Sequence, residues 1–173
     1  TTAMTGVSLD LPGKLSGDVV TVSGKGAFAS KNVGTNLSYT ISEMSLSGAD
    51  AGNYSLTGGD SWSGSNGEIT AKNLSVTYTG VNKVYDGNTT ASVLTSDNRV
   101  NGDVLTISRT ANFADKNVGN GKGVDVTGVS LGGADAGNYV LTSTTGSTTA
   151  DITRLSSVTW IGGSTGNWFD PAN

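Results

Sequence analysis

The chain has 173 residues, with 14 acidic against 10 basic side chains and a formal net charge of −4, so it offers no basic surface for nucleic acid. Cysteine and histidine are both absent, which removes disulfides, thiol nucleophiles, sulfur metal sites and the commonest general base. No run of 18 apolar residues occurs, so no membrane-spanning helix is expected; 26 Gly, 22 Ser and 24 Thr point instead to strands and tight turns.

In chain order, the first region already announces a second. The stretch from Gly17 to Thr57 recurs without a gap as Gly102 to Thr142, 85 residues later, with 22 of 41 positions identical. A unit of that length can enclose its own small core. Two domains are therefore expected, residues 1–71 and 72–154, followed by an extension, 155–173. Thr1-Thr2-Ala3 matches Thr89-Thr90-Ala91, but Lys83 to Asn88 has no counterpart ahead of it. The first repeat is thus expected to lack its opening strand and to carry an unpaired edge.

Within that repeat, Val20 and Val22 alternate with Thr21 and Ser23, the pattern of a half-buried strand. Phe28 and its equivalent Phe113 are scarce aromatics and read as core anchors. Leu37, Tyr39 and Ile41 share a face, and Met44 and Leu46 continue one residue out of phase. Val124 and Val126, then Val129 and Leu131, slip at the same place, which predicts a shared β-bulge near 42–44 and 127–129. Gly48 to Tyr54 (Gly-Ala-Asp-Ala-Gly-Asn-Tyr) recurs as Gly133 to Tyr139. Asp50 with Asn53, and Asp135 with Asn138, predict a single helical or Asx-type turn, the carboxylate accepting the Asn amide. Tyr54 and Tyr139 then begin strands and pack inward; Tyr54 and Leu56 start the first. Residues 58–67 read as a Gly- and Ser-rich loop, two residues longer than its counterpart, carrying Trp62. Ile69 closes the repeat on a last strand.

In the second repeat, Leu74, Val76 and Tyr78 read as the opening strand. Tyr85, Asp86 and Gly87 follow, Asp-Gly being a strong turn signal. Further strands are expected at 89–94, 104–108, 122–131, 138–143 and 147–153. No amphipathic helix of ten residues is visible, so the fold class is predominantly β. Leu155 to Gly162 partly copies Leu74 to Gly80, with Trp160 in place of Tyr78. Beyond it, the sequence through Asn173 repeats nothing earlier and reads as the start of a different module.

The chemistry is sparse. No nucleophile, base and orienting group lie in a recognisable pattern. Asp18 and Asp103, like Asp50 and Asp135, are equivalent positions in separate repeats rather than a carboxylate pair for sugar hydrolysis. Asp50, Asn53, Asp135 and Asn138 offer hard oxygens, yet without the carboxylate density of a calcium loop. No catalytic, cofactor or metal residue is expected. Trp62, with Asp60 and Asn66 nearby, is the one candidate for binding: it would stack on a sugar or seal the junction between repeats. The junction role is favoured.

Lys83-Val84-Tyr85-Asp86-Gly87-Asn88-Thr89-Thr90-Ala91 resembles the signature of the YDG repeats of bacterial surface proteins. Phe113 to Gly119 and Gly133 to Tyr139 resemble that family's later motifs, in the same order. The first copy departs by lacking the Tyr-Asp-Gly stretch. The resemblance implies tandem β-grasp-like domains of a filamentous-haemagglutinin-like adhesin, exported by two-partner secretion to the surface of a Gram-negative bacterium. It implies a non-enzymatic stalk whose partners are neighbouring repeats. The alternative is a module that binds a glycan or another surface molecule in adhesion or biofilm contact.

Overall fold

The computed structural model describes residues 2–5 and 7–158, so the reading of Trp160 to Asn173 as a different module lies outside the described residues. The chain divides into two compact units, Thr1–Lys72 with Gly137–Val140, and Asn73–Ala136 with Leu141–Asn173. Strand β1 (Thr21–Phe28), β2 (Gly34–Ser47) and β3 (Trp62–Ile69) build the first repeat, with a 3-10 turn at Ala51–Asn53. The second holds β4 (Lys72–Leu74), β5 (Val76–Val81), β6 (Lys83–Val84), β7 (Ser92–Asp97) and β8 (Thr106–Phe113). It continues with β9 (Gly119–Gly132), a 3-10 turn at Ala136–Asn138, β10 (Tyr139–Leu141) and β11 (Gly146–Thr153). Among the described residues there is no α-helix, and the fold is mostly β.

The two repeats share a strand order. In the first it is β1-β2-β3; in the second β8-β9-β11 follows the same order, extended past β11 by β6. All of these pairs are antiparallel except β6 with β11, which is parallel. The bulge lies where the phase slip placed it. The β1/β2 register shifts between Ser23 and Lys25, and β8/β9 shifts between Ser108 and Thr110, the equivalent residues. The bulged position takes positive φ in both copies, Glu43 at 52° and Gly128 at 63°. A side chain in that region is strained where glycine is not.

Packing separates the copies. The second repeat has a buried cluster that includes Phe113, Val124, Val126 and Ile152, with Tyr78 and Tyr85 packed against it. Phe113 is 3% exposed. In the first repeat Ile41 and Val20 are buried, but Phe28 is only half-buried. Its sheet rests on aromatics instead: the Phe28 and Tyr39 rings meet edge-on at 6.2 Å, and Tyr39 meets Trp62 at 5.8 Å.

Three expectations are corrected. Residues 62–67, expected in a loop, belong to β3, which ends at Ile69 as the closing strand expected there; its Ser and Gly content hides its pairing with β2. One of the two extra residues precedes this strand, and the other is a bulge within it, between Gly64 and Gly67. Those glycines are needed because a Cβ at 64 would collide with Tyr39 and one at 67 with Phe28. Tyr54 and Leu56 do not form a strand. In the second copy the chain there is held by Leu74, whose carbonyl accepts from Thr142 N–H at 3.0 Å; among the described residues no strand pairs with residues 54–56. The strand expected at 89–94 begins later, at Ser92.

Candidate functional site

The most repeated phrase forms a lock. In Gly48 to Tyr54, the 3-10 turn is closed by Asn53 N–H donating to the Asp50 carbonyl at 3.0 Å. Asp50 does not cap that turn, contrary to the local reading. Its carboxylate accepts from Val19 N–H at 2.8 Å, while its own N–H donates to the Val19 carbonyl at 3.2 Å. Asp135 clamps Val104 with the same two distances. Gly48 and Gly133, at φ 117° and 102°, lie so close to these carbonyls that a Cβ would collide with them. The phrase thus ties the turn to a segment 31 residues earlier, which explains why its Gly and Asp recur together. Because its lone pairs meet a backbone donor, Asp50 acts as a structural acceptor in this geometry.

Tyr54 completes the first lock. Its hydroxyl donates to Asp18 at 2.7 Å and accepts from Leu15 N–H at 3.0 Å. The Asp18 carboxylate receiving its proton raises the phenol above its ordinary pKa. Tyr139 is buried. Both tyrosines therefore serve packing and hydrogen bonding rather than forming an open platform.

A second arrangement surrounds Lys83. Its Nζ donates to Asp86 Oδ1 at 2.8 Å, Asn88 O at 2.8 Å, Asn88 Oδ1 at 3.2 Å and Thr90 O at 2.9 Å. It also lies 5.4 Å from the centre of the Phe113 ring. One ammonium therefore gathers the whole turn that contains Tyr85, Asp86 and Gly87 and holds it over the core. Gly87 is required by its φ of 80°, since nothing crowds it. Lys83 lowers the Asp86 pKa by hydrogen bonding. Tyr85 packs against the core and its N–H donates to the Thr153 carbonyl at 2.8 Å.

The three residues singled out for binding do not converge. Trp62 is the first residue of β3, opposite Ile41, and is 57% exposed. Asn66 is engaged elsewhere, its side-chain oxygen accepting from the Tyr39 hydroxyl at 2.9 Å. The Asp60 carbonyl accepts from Met44 N–H at 2.9 Å, and its residue is exposed. Tyr39 is the group the sequence reading missed: it touches the Trp62 ring and holds Asn66. Its signal was a bulky ring at the position that Val124 occupies in the other copy. Beside Trp62 lies a cleft of about 250 Å³, lined by Leu9, Val22, Ile41, Met44 and Leu56 among others. Among the described residues, no group of three Asp or Glu could hold a metal ion.

A family model described as the YDG domain matches residues 1–61 and 70–148. No curated protein and no solved structure matches the chain. The matched spans cover both copies of the Gly48 and Gly133 lock, and the second also covers the Lys83 turn. The chain belongs to the YDG domain family.

Proposed function

We propose that the two repeats are non-enzymatic spacer domains of a large secreted surface adhesin, extending a distant adhesive domain from the outer membrane of a Gram-negative bacterium. In this reading their immediate partners are further repeats of the same chain, and the route outward is two-partner secretion. One observation carries it: the duplicated residues are spent on the fold itself. Gly48, Asp50, Gly133 and Asp135 clamp backbone, and Phe28 and Phe113 pack cores. Lack of cysteine also suits a chain exported unfolded, because no disulfide can form prematurely. The test is to vary the number of such repeats beneath a reporter adhesin. Reach from the cell should grow with each repeat while ligand affinity stays constant; a change in affinity overturns the spacer reading.

Direct glycan binding is the second reading, favoured by the exposed Trp62 ring beside its apolar cleft. Saturable binding on a glycan array, lost in Trp62→Ala, would establish it.

A further inference from the structure

Three Asn-Gly pairs stand among the described residues: Asn66-Gly67, Asn101-Gly102 and Asn120-Gly121. An asparagine followed by glycine can close on itself, because no side chain keeps the glycine nitrogen from the asparagine amide carbon. The folded chain treats the three pairs differently. Asn66 lends its side-chain oxygen to the Tyr39 hydroxyl at 2.9 Å, and Gly67 lies against the Phe28 ring. Asn101-Gly102 lies exposed in a turn, and among the described residues no carboxylate accepts the Gly102 N–H.

Asn120-Gly121 is a bulge in β9. The ladder between β9 and β11 runs through Ala150↔Lys122 and then Ile152↔Gly119, so Asn120 and Gly121 together face Asp151. The Gly121 N–H donates to the Asp151 side chain, at 2.7 Å from Oδ1. Gly121 takes a φ of 60°, and a Cβ there would meet nothing within 4 Å. Asn120 is exposed. Asp151 is itself held in place. Its N–H donates to Asn82 Oδ1 at 2.8 Å, and its Oδ2 accepts from Asn82 Nδ2 at 3.3 Å. The proton on the nitrogen that must attack is therefore already aimed at a fixed carboxylate. The first repeat has a similar bulge between Gly34↔Ile69 and Leu37↔Gly67, where Thr35 and Asn36 face Glu68. Thr35 stands at the place of Asn120 and has no amide carbon to attack.

We infer that Asn120 is a self-modifying site, at which Gly121 nitrogen attacks Asn120 Cγ with Asp151 as the general base. The new N–C bond closes a cyclic imide. Asp151 takes the Gly121 proton and passes it to Asn120 Nδ2, which leaves as ammonia. Water then opens the ring at either carbonyl and leaves aspartate or isoaspartate at position 120. Nothing is oxidised or reduced. Either product sets a second carboxylate opposite Asp151, and like charges facing each other across a ladder destabilise it. Isoaspartate also adds a methylene to the main chain of the bulge. Both changes bear on the Ile152↔Gly119 pair, beside the Ile152↔Lys83 bridge to β6. The second repeat thus carries a timer that loosens the seam between β6 and β11.

Peptide mapping by mass spectrometry that resolves isoaspartate tests this, on the 173-residue chain aged at neutral pH. Asn120 should convert at least about tenfold faster than Asn101. In concentrated urea, where the carboxylate is no longer held beside Gly121, the two should convert alike. Asp151→Asn still offers an acceptor to the Gly121 N–H but cannot take its proton, and should bring Asn120 down to the Asn101 rate with circular dichroism unchanged. Equal rates at Asn120 and Asn101 in the folded chain overturn the inference. So does an advantage for Asn120 that persists in urea, or an Asp151→Asn chain of unchanged dichroism that converts Asn120 at the parent rate.

Discussion

The two repeats share strand order, bulge and turn lock, yet one is covered by β5 to β7, and among the described residues the other has no such strands. The second buries Phe113 beneath valines and isoleucine, with Tyr78 laid over Gly146. The first lays Tyr39 over Gly64 and Phe28 over Gly67, with Trp62 against Tyr39, and has clefts beside them. Sequence identity in the turns is therefore compatible with divergent cores. The turn lock needs a carboxylate and a glycine set against specific backbone groups, while a hydrophobic face accepts varied side chains of similar total volume.

The sharpest way to break this comparison is at the paired phenylalanines. Phe113→Ala should cost the second repeat about 3–5 kcal/mol, the range for a fully buried ring. Phe28→Ala should cost the first roughly half of that, because its ring is already half in water. Urea unfolding followed by residue-resolved hydrogen exchange separates the two. Equal losses would show that the first repeat is as tightly packed as the second.

Next in size is the clamp. Asp135→Ala and Asp50→Ala each remove an acceptor from a backbone N–H, a loss of about 1–3 kcal/mol. The cost should be greater at Asp135, which is buried, and in neither case should it exceed that of Phe113→Ala. The same unfolding measurements rank them, and a larger effect at Asp50 would reverse the assignment of the tighter copy.

Smaller, and opposite in sign, is Glu43→Gly. It gives the first repeat the residue that Gly128 supplies in the second, relieving positive φ by roughly 0.5–1 kcal/mol after the entropy cost of glycine. The lost Lys25–Glu43 ion pair, at 2.6 Å with both ends exposed, offsets little of this. A rise in the thermal midpoint of the first repeat is the expected readout. Asn36→Gly, matching Gly121, should gain less, because Asn tolerates this region better than Glu does.

Acid gives the mildest contrast. Lys83, Arg99 and Lys122 hydrogen bond Asp86, Asp97 and Asp115 and hold all three below the usual carboxylate range in the folded chain. Their contribution is present above a pH of about 4 and is lost as pH falls through the depressed folded values. Within the gapless match, the first repeat has Ser30 at the place of Asp115. Urea midpoints measured from neutral pH downward should therefore fall below about pH 4 more steeply for the second repeat.

Much of this was legible in the sequence, and the exceptions share a cause. Alternation located β1, β2, β8 and β9, and a shared phase slip located the bulge, because these signals are carried by neighbouring residues. Asp50 was assigned to Asn53, its nearest donor, whereas its partner Val19 lies 31 residues away. Ser63, Gly64, Ser65 and Gly67 around Trp62 read as a loop, but the strand needs Gly64 beneath the Tyr39 ring and Gly67 beneath the Phe28 ring. The sequence assigns Lys83 no role of its own, because only the folded turn brings four acceptors around it.

The parallel pairing of β6 with β11 has a mechanical consequence. These strands stand near the start and the end of the second repeat, joined at Lys83↔Ile152 and Val84↔Thr153. A pull on the chain from both sides draws two parallel strands in opposite directions along their length. The ladder is then loaded in shear, its bonds sharing the tension at once, whereas antiparallel ends would peel one bond at a time. Tyr85 N–H on the Thr153 carbonyl and Asn82 on Asp151 N–H lie along the same line of strain and add to it. Under tension, this short seam is the part of the second repeat that must rupture before its core can extend.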